Sequence, residues 1–77
     1  MNEVWGKVYN AKLIKGCDCV SQKLEGQEGR LKVEDIITFF SNRMVKPFKS
    51  SLVAQTVSED NILNVRTIDG LYKFQIL

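Results

Sequence analysis

Catalysis needs groups that can gain, lose or share protons, and in this chain they are few and badly spaced for the work. There is no histidine among the 77 residues. That removes the commonest general base and the commonest metal ligand, and with them every Ser-His or Cys-His nucleophile pair. Two thiols stand one residue apart in Cys17-Asp18-Cys19. A tetrahedral structural zinc needs four ligands, so this pair would have to be completed by a second copy of the chain. A redox couple is expected as Cys-x-x-Cys rather than Cys-x-Cys, and neighbours this close cannot constrain a long loop. The expectation is two reduced thiols at the start of a strand, one of them packed inside. The acids fall mostly in turn-like clusters, and the adjacent pairs Glu34-Asp35 and Glu59-Asp60 would point to opposite faces of a strand. Gly26 and Gly29 do not sit in a phosphate-loop pattern. The reading is a chain that is not an enzyme and carries no metal and no cofactor.

What remains is binding by shape and charge. From 36 to 57 no acidic residue occurs, while Arg43, Lys46 and Lys49 fall at a spacing of three, mixed with Met44, Phe48 and Ser50. Cations, hydroxyls and an aromatic ring in a loop-like stretch are the components of anion and nucleic-acid sites. An exposed apolar spot at Met44, Val45 and Phe48, rimmed by cations, would equally suit a protein partner. The plain structural reading is a solvated connection anchored by Phe48. The lone tryptophan, Trp5, reads as core.

These groups must be held by short elements. The clearest is a C-terminal hairpin, 62–68 and 71–77, around Asp69-Gly70. An Asp-Gly loop between alternating runs is a strong hairpin signal, because both turn positions take positive φ. That loop sets Ile68 opposite Leu71, Thr67 opposite Tyr72, Arg66 opposite Lys73 and Val65 opposite Phe74. Leu63, Val65, Tyr72, Phe74 and Ile76 share one face; Asn64, Arg66, Lys73 and Gln75 share the other. Facing cations are mildly unfavourable, and an anion over Arg66 and Lys73 would relieve them. Upstream, 52–57 reads as a strand, 4–14 as a long strand bent at Gly6, and 19–24 as its antiparallel return. The segment 31–40 fits both a helical spacing (Val33, Ile36, Ile37, Phe40) and a strand composition. The strand is preferred because the neighbours are β, with a short helix over 33–41 as the alternative.

Length bounds the chain to a single domain, 1–77. Its 44% hydrophobic and 26% charged residues are those of a globular protein. A net charge of +2 permits a nucleic-acid partner without demonstrating one. No apolar run approaches the roughly 18 residues of a membrane span, and the N-terminus has no signal-peptide pattern, so the expected location is the cytoplasm and no membrane partner is expected. The fold expected is mainly β: a small, strongly twisted antiparallel sheet or barrel of about five strands.

The segment 48–77 resembles small uncharacterised proteins of bacteriophages and mobile elements. In these, a Phe-x-Ser-Ser segment (here Phe48, Ser50 and Ser51) precedes a strand, and a final hairpin follows (here Val65, Thr67, Tyr72 and Phe74). The resemblance implies a β-rich fold and a phage origin. Proteins of that kind often act by occupying a host protein or a host nucleotide signal. The function expected is therefore stoichiometric binding to a protein partner, as inhibitor or accessory factor, with self-association. The alternative is binding of an anion, nucleotide or nucleic acid through the basic loop and a sheet face. The candidate binding residues are Arg43, Met44, Lys46, Phe48, Lys49, Ser50, Arg66 and Lys73.

Overall fold

A computed structural model describes residues 5–41 and 43–77. The described residues form six strands, β1 (Val8–Lys15), β2 (Glu28–Val33), β3 (Ile36–Ser41), β4 (Phe48–Glu59), β5 (Ile62–Thr67) and β6 (Gly70–Ile76), with one short helix, α1 (Cys19–Gln22), between β1 and β2. Each strand pairs antiparallel with the next, and β6 pairs back onto β1, so the sheet closes as a six-stranded barrel. The mainly β expectation holds, with six strands rather than about five. Among the described residues no helix is long and apolar enough to cross a membrane.

Alternation builds the interior. Residues two apart share a face, so Ala11 and Leu13, Leu31 and Val33, Ile37 and Phe39, Leu63 and Val65, and Tyr72 and Phe74 all point inward, joined by Phe48. The rings pack in tilted pairs, Phe39 on Phe74 at 5.6 Å and Phe48 on Tyr72 at 5.9 Å between centroids. A ring of only six strands must curve sharply, and β-bulges supply that curvature. Register shifts fall in β1 near Leu13, between β3 and β4 near Ile36, and between β4 and β5 near Val53. At the second of these the Ser50 hydroxyl accepts the Ile37 N–H at 2.8 Å and donates to the Ser51 carbonyl.

Several local expectations are corrected. The helix lies at Cys19–Gln22, not over 33–41, and replaces the strand expected at 19–24. Asp18 decides this: its carboxylate accepts the Ser21 N–H at 2.7 Å while the Ser21 hydroxyl accepts the Asp18 N–H, a reciprocal cap that starts a helix. The segment 31–40 is strand throughout except at Glu34-Asp35, which divides it between β2 and β3. Of the long first strand, Val4 lies outside the described residues. Gly6, at φ +76°, turns the chain before β1 begins at Val8. Trp5 is not core: it is 48% exposed and bridges Val33 beside the end of β2. The strand read at 52–57 runs from Phe48 to Glu59, so Phe48, Lys49 and Ser50 of the loop-like stretch belong to β4.

The hairpin register also differs. Thr67 pairs with Gly70, Val65 with Tyr72, Leu63 with Phe74, and Ile68-Asp69 is the two-residue loop. Thr67 sets it, because its hydroxyl accepts the Asp69 N–H and donates to the Gly70 carbonyl, which closes the turn one residue earlier than an Asp-Gly loop would. Gly70, at φ +155°, is where Cys17 packs; a Cβ there would lie 2.7 Å from the Cys17 Cβ. The slip equals two residues, so the inward set is preserved. The facing of Arg66 and Lys73 is not: Arg66 pairs with Leu71, and Lys73 with Asn64.

Candidate functional site

The residues singled out by sequence are dispersed around the ring. Phe48 is buried against Tyr72. Ser50 spends its hydroxyl on the β3–β4 bulge. Met44 packs against the core, with its sulfur accepting the Ser41 N–H. Val45 beside it is exposed. Arg43 borders a cleft that Gly26, Gln27, Glu28 and Ser41 also line. Lys46 and Lys49 are exposed near the start of β4. Arg66 and Lys73 lie on the outside of β5 and β6, a different wall from Lys49, which pairs with Thr38 of β3.

Two titratable groups join α1 to β6: Tyr72, which is buried, and Asp18, which is exposed at the N-cap of the helix. The Tyr72 hydroxyl donates to the Asp18 carboxylate at 3.1 Å. Asp18 is held below the usual carboxylate range, chiefly by the Ser21 N–H that it accepts and further by the Ser21 and Tyr72 hydroxyls. The Tyr72 phenol is pushed well above its ordinary value, first by burial and then by Cys17 and Asp18 beside it. An ionised acceptor that takes two hydroxyls and an N–H, facing a phenol that keeps its proton, is a structural latch between α1 and β6. Cys17 packs against the core at this latch and Cys19 is exposed; both are free thiols. They flank the helix cap and do not open a strand.

Two features of the outer wall escaped the sequence reading. On one side, Leu52 pairs with Ile36, and the Leu52 carbonyl accepts the Ile68 N–H at 3.0 Å. This sets Leu52 (57% exposed) beside Ile68 (70% exposed), with Leu71 (49% exposed) across the same turn. On the other side, β1, β2, β3 and the start of β4 present two outward rows. Asn10 pairs with Arg30 and Arg30 with Phe40; Val8 pairs with Lys32, Lys32 with Thr38, and Thr38 with Lys49. The signal for the second was present in Arg30-Leu31-Lys32-Val33 and in Phe39-Phe40. In strands, that alternation turns both cations outward, and two adjacent phenylalanines cannot both be inside. Comparison with known proteins finds no matching family model, no matching curated protein and no matching solved structure.

Proposed function

We propose that this chain is a small non-enzymatic binding domain that acts by stoichiometric contact with a protein partner. The observation that carries the reading is the exposed apolar group Leu52 of β4, Ile68 of the β5–β6 turn and Leu71 of β6, set beside one another by the Ile68–Leu52 backbone bond and the hairpin. Side chains this apolar are stabilised by leaving water, by roughly 1 kcal/mol each when half their surface is covered. Arg66, paired with both Gln55 and Leu71, supplies a polar rim of the kind that surrounds interface centres. The hydrogen-bonded pair of Asp18 and Tyr72 supports binding over catalysis, because the two are spent on each other and on the helix cap. Each strand already has a hydrogen-bonded neighbour on both sides, so self-association, where it occurs, is expected through this apolar surface.

The test is Ile68→Glu with Leu71→Glu. Both sites are exposed, so the melting transition should stay close to that of the parent. Light scattering reads self-association, and affinity capture from the native lysate, with and without nuclease, reads a foreign partner. The parent should retain a stoichiometric protein partner, or a second copy, that the double variant loses irrespective of nuclease. Equal retention by both proteins would refute the assignment.

A further inference from the structure

We propose that the opposite wall of the barrel is a second, independent binding surface, for single-stranded nucleic acid, with Phe40 as the stacking platform and Arg30, Lys32 and Lys49 as phosphate contacts. The surface goes beyond the protein-contact reading and shares no residue with it, so either can fail alone. Phe40 is 42% exposed although its neighbour Phe39 is fully buried; the strand alternation holds its ring outside without an inward alternative. Its register partner is Arg30. Side chains opposed in this way start about 5 Å apart at Cβ, so a base lying on the ring brings its phosphate within reach of the guanidinium. The next row along the strands, about 7 Å away, carries Lys32 and Lys49 on either side of Thr38. Asn10 beside Arg30 adds a hydrogen-bonding side chain. Cations that track a backbone around an aromatic platform are the components of sequence-tolerant single-strand binding.

The charge balance favours a polyanion. The acids bordering the wall are Glu28, register partner of Lys12, Glu34, 3.4 Å from Lys32, and Asp35, exposed beside Glu34 in the β2–β3 turn. An exposed pair such as Lys32–Glu34 is weak in water, and a phosphate competes with it. Arg43 and Lys46 add two exposed cations on the connection that leads from β3 into β4. Single strands fit better than duplex for two reasons. The described chain has only a four-residue helix, too short to read a major groove as recognition helices do. A ring held on the outer wall of a sheet needs an unstacked base to lie on it, which single strands provide.

The experiment titrates the full chain into fluorescein-labelled 15-mers of oligo(dT) and oligo(rU) and into a 15-base-pair duplex, read by anisotropy at several salt concentrations. The single strands should bind more tightly than the duplex. For three to five phosphate contacts, log K should fall with log salt at a slope of about −2 to −3.5. Phe40→Ala should weaken single-strand binding by about 5- to 150-fold with the salt slope unchanged, and Phe40→Trp should restore it. Arg30→Gln should weaken binding and make the slope shallower by about 0.7, whereas Arg66→Gln on the far wall should do neither. The two single strands separate DNA from RNA preference, and either preference supports the assignment. No binding at about 100 μM protein in low salt, where even non-specific binders associate, would overturn it. So would loss in Arg66→Gln equal to that in Arg30→Gln, or a Phe40→Ala effect confined to capture of a protein partner.

Discussion

Replacing Asp18 with alanine removes three contacts at once: the acceptor for the Ser21 N–H at 2.7 Å, for the Ser21 hydroxyl at 2.8 Å and for the Tyr72 hydroxyl at 3.1 Å. Loss of an N-cap costs about 1 kcal/mol. Depriving the hydroxyl of the buried Tyr72 of its acceptor costs about 1 kcal/mol more. Against the roughly 4–12 kcal/mol expected for a chain of 77 residues, a loss of about 2 kcal/mol lowers the melting temperature by about 8–16 °C. Tyr72→Phe removes the same hydrogen bond from its other end and costs about 1 kcal/mol. The double variant loses that bond only once, so it should be about 1 kcal/mol more stable than the sum of the single changes predicts. Urea melts of the four proteins measure this. The pH dependence has a definite sign. Because the folded Asp18 lies below its unfolded value of about 3.9, its contribution is fully present above that value. It is lost as pH falls through the lowered one, so Asp18→Ala and the parent converge in acid. Tyr72 acts at the other end. Its raised value gives a contribution that is complete below about pH 10 and lost as pH climbs further. Strict additivity in the cycle, or an Asp18→Ala cost below about 0.5 kcal/mol, would refute the latch.

Three further outcomes follow from the packing. Ser50→Ala leaves the Ile37 N–H without its acceptor in the β3–β4 bulge and should cost about 1–3 kcal/mol, read by denaturant melts. Gly29→Ala drives a Cβ into the Phe40 carbonyl and the Ser41 backbone. Since β2 cannot shift without breaking its register with β3, this should cost about 1–3 kcal/mol or more, seen as a lowered melting temperature. Ser51 buries a hydroxyl oxygen with no hydrogen-bond partner among the described residues, so Ser51→Ala should be neutral or stabilising by up to about 1 kcal/mol; calorimetry would detect it.

The sequence alone determined the inward set wherever a strand alternates. Leu63, Val65, Tyr72 and Phe74 follow from a period of two, and survive a register slip of two residues because parity is unchanged. It also contained, without being read, the outward turn of Arg30 and Lys32 and the division of Phe39 from Phe40. What it could not carry was the hairpin register, because the Thr67 hydroxyl outcompetes the Asp-Gly preference through bonds to Asp69 and Gly70. The helix at Cys19–Gln22 rests on a local cap, Asp18 with Ser21, that four apolar-to-polar residues of unclear period conceal, and on Tyr72 arriving from 54 residues away. Whether Arg66 and Lys49 share a surface was decided only by closure of the ring. Neighbours around a barrel are set by which strands pair, and strand pairing is a long-range choice that local periodicity does not encode. Pairing of β4 with β5 brought Leu52 to Ile68, and pairing of β2 with β3 brought Arg30 to Phe40, and so created both candidate surfaces.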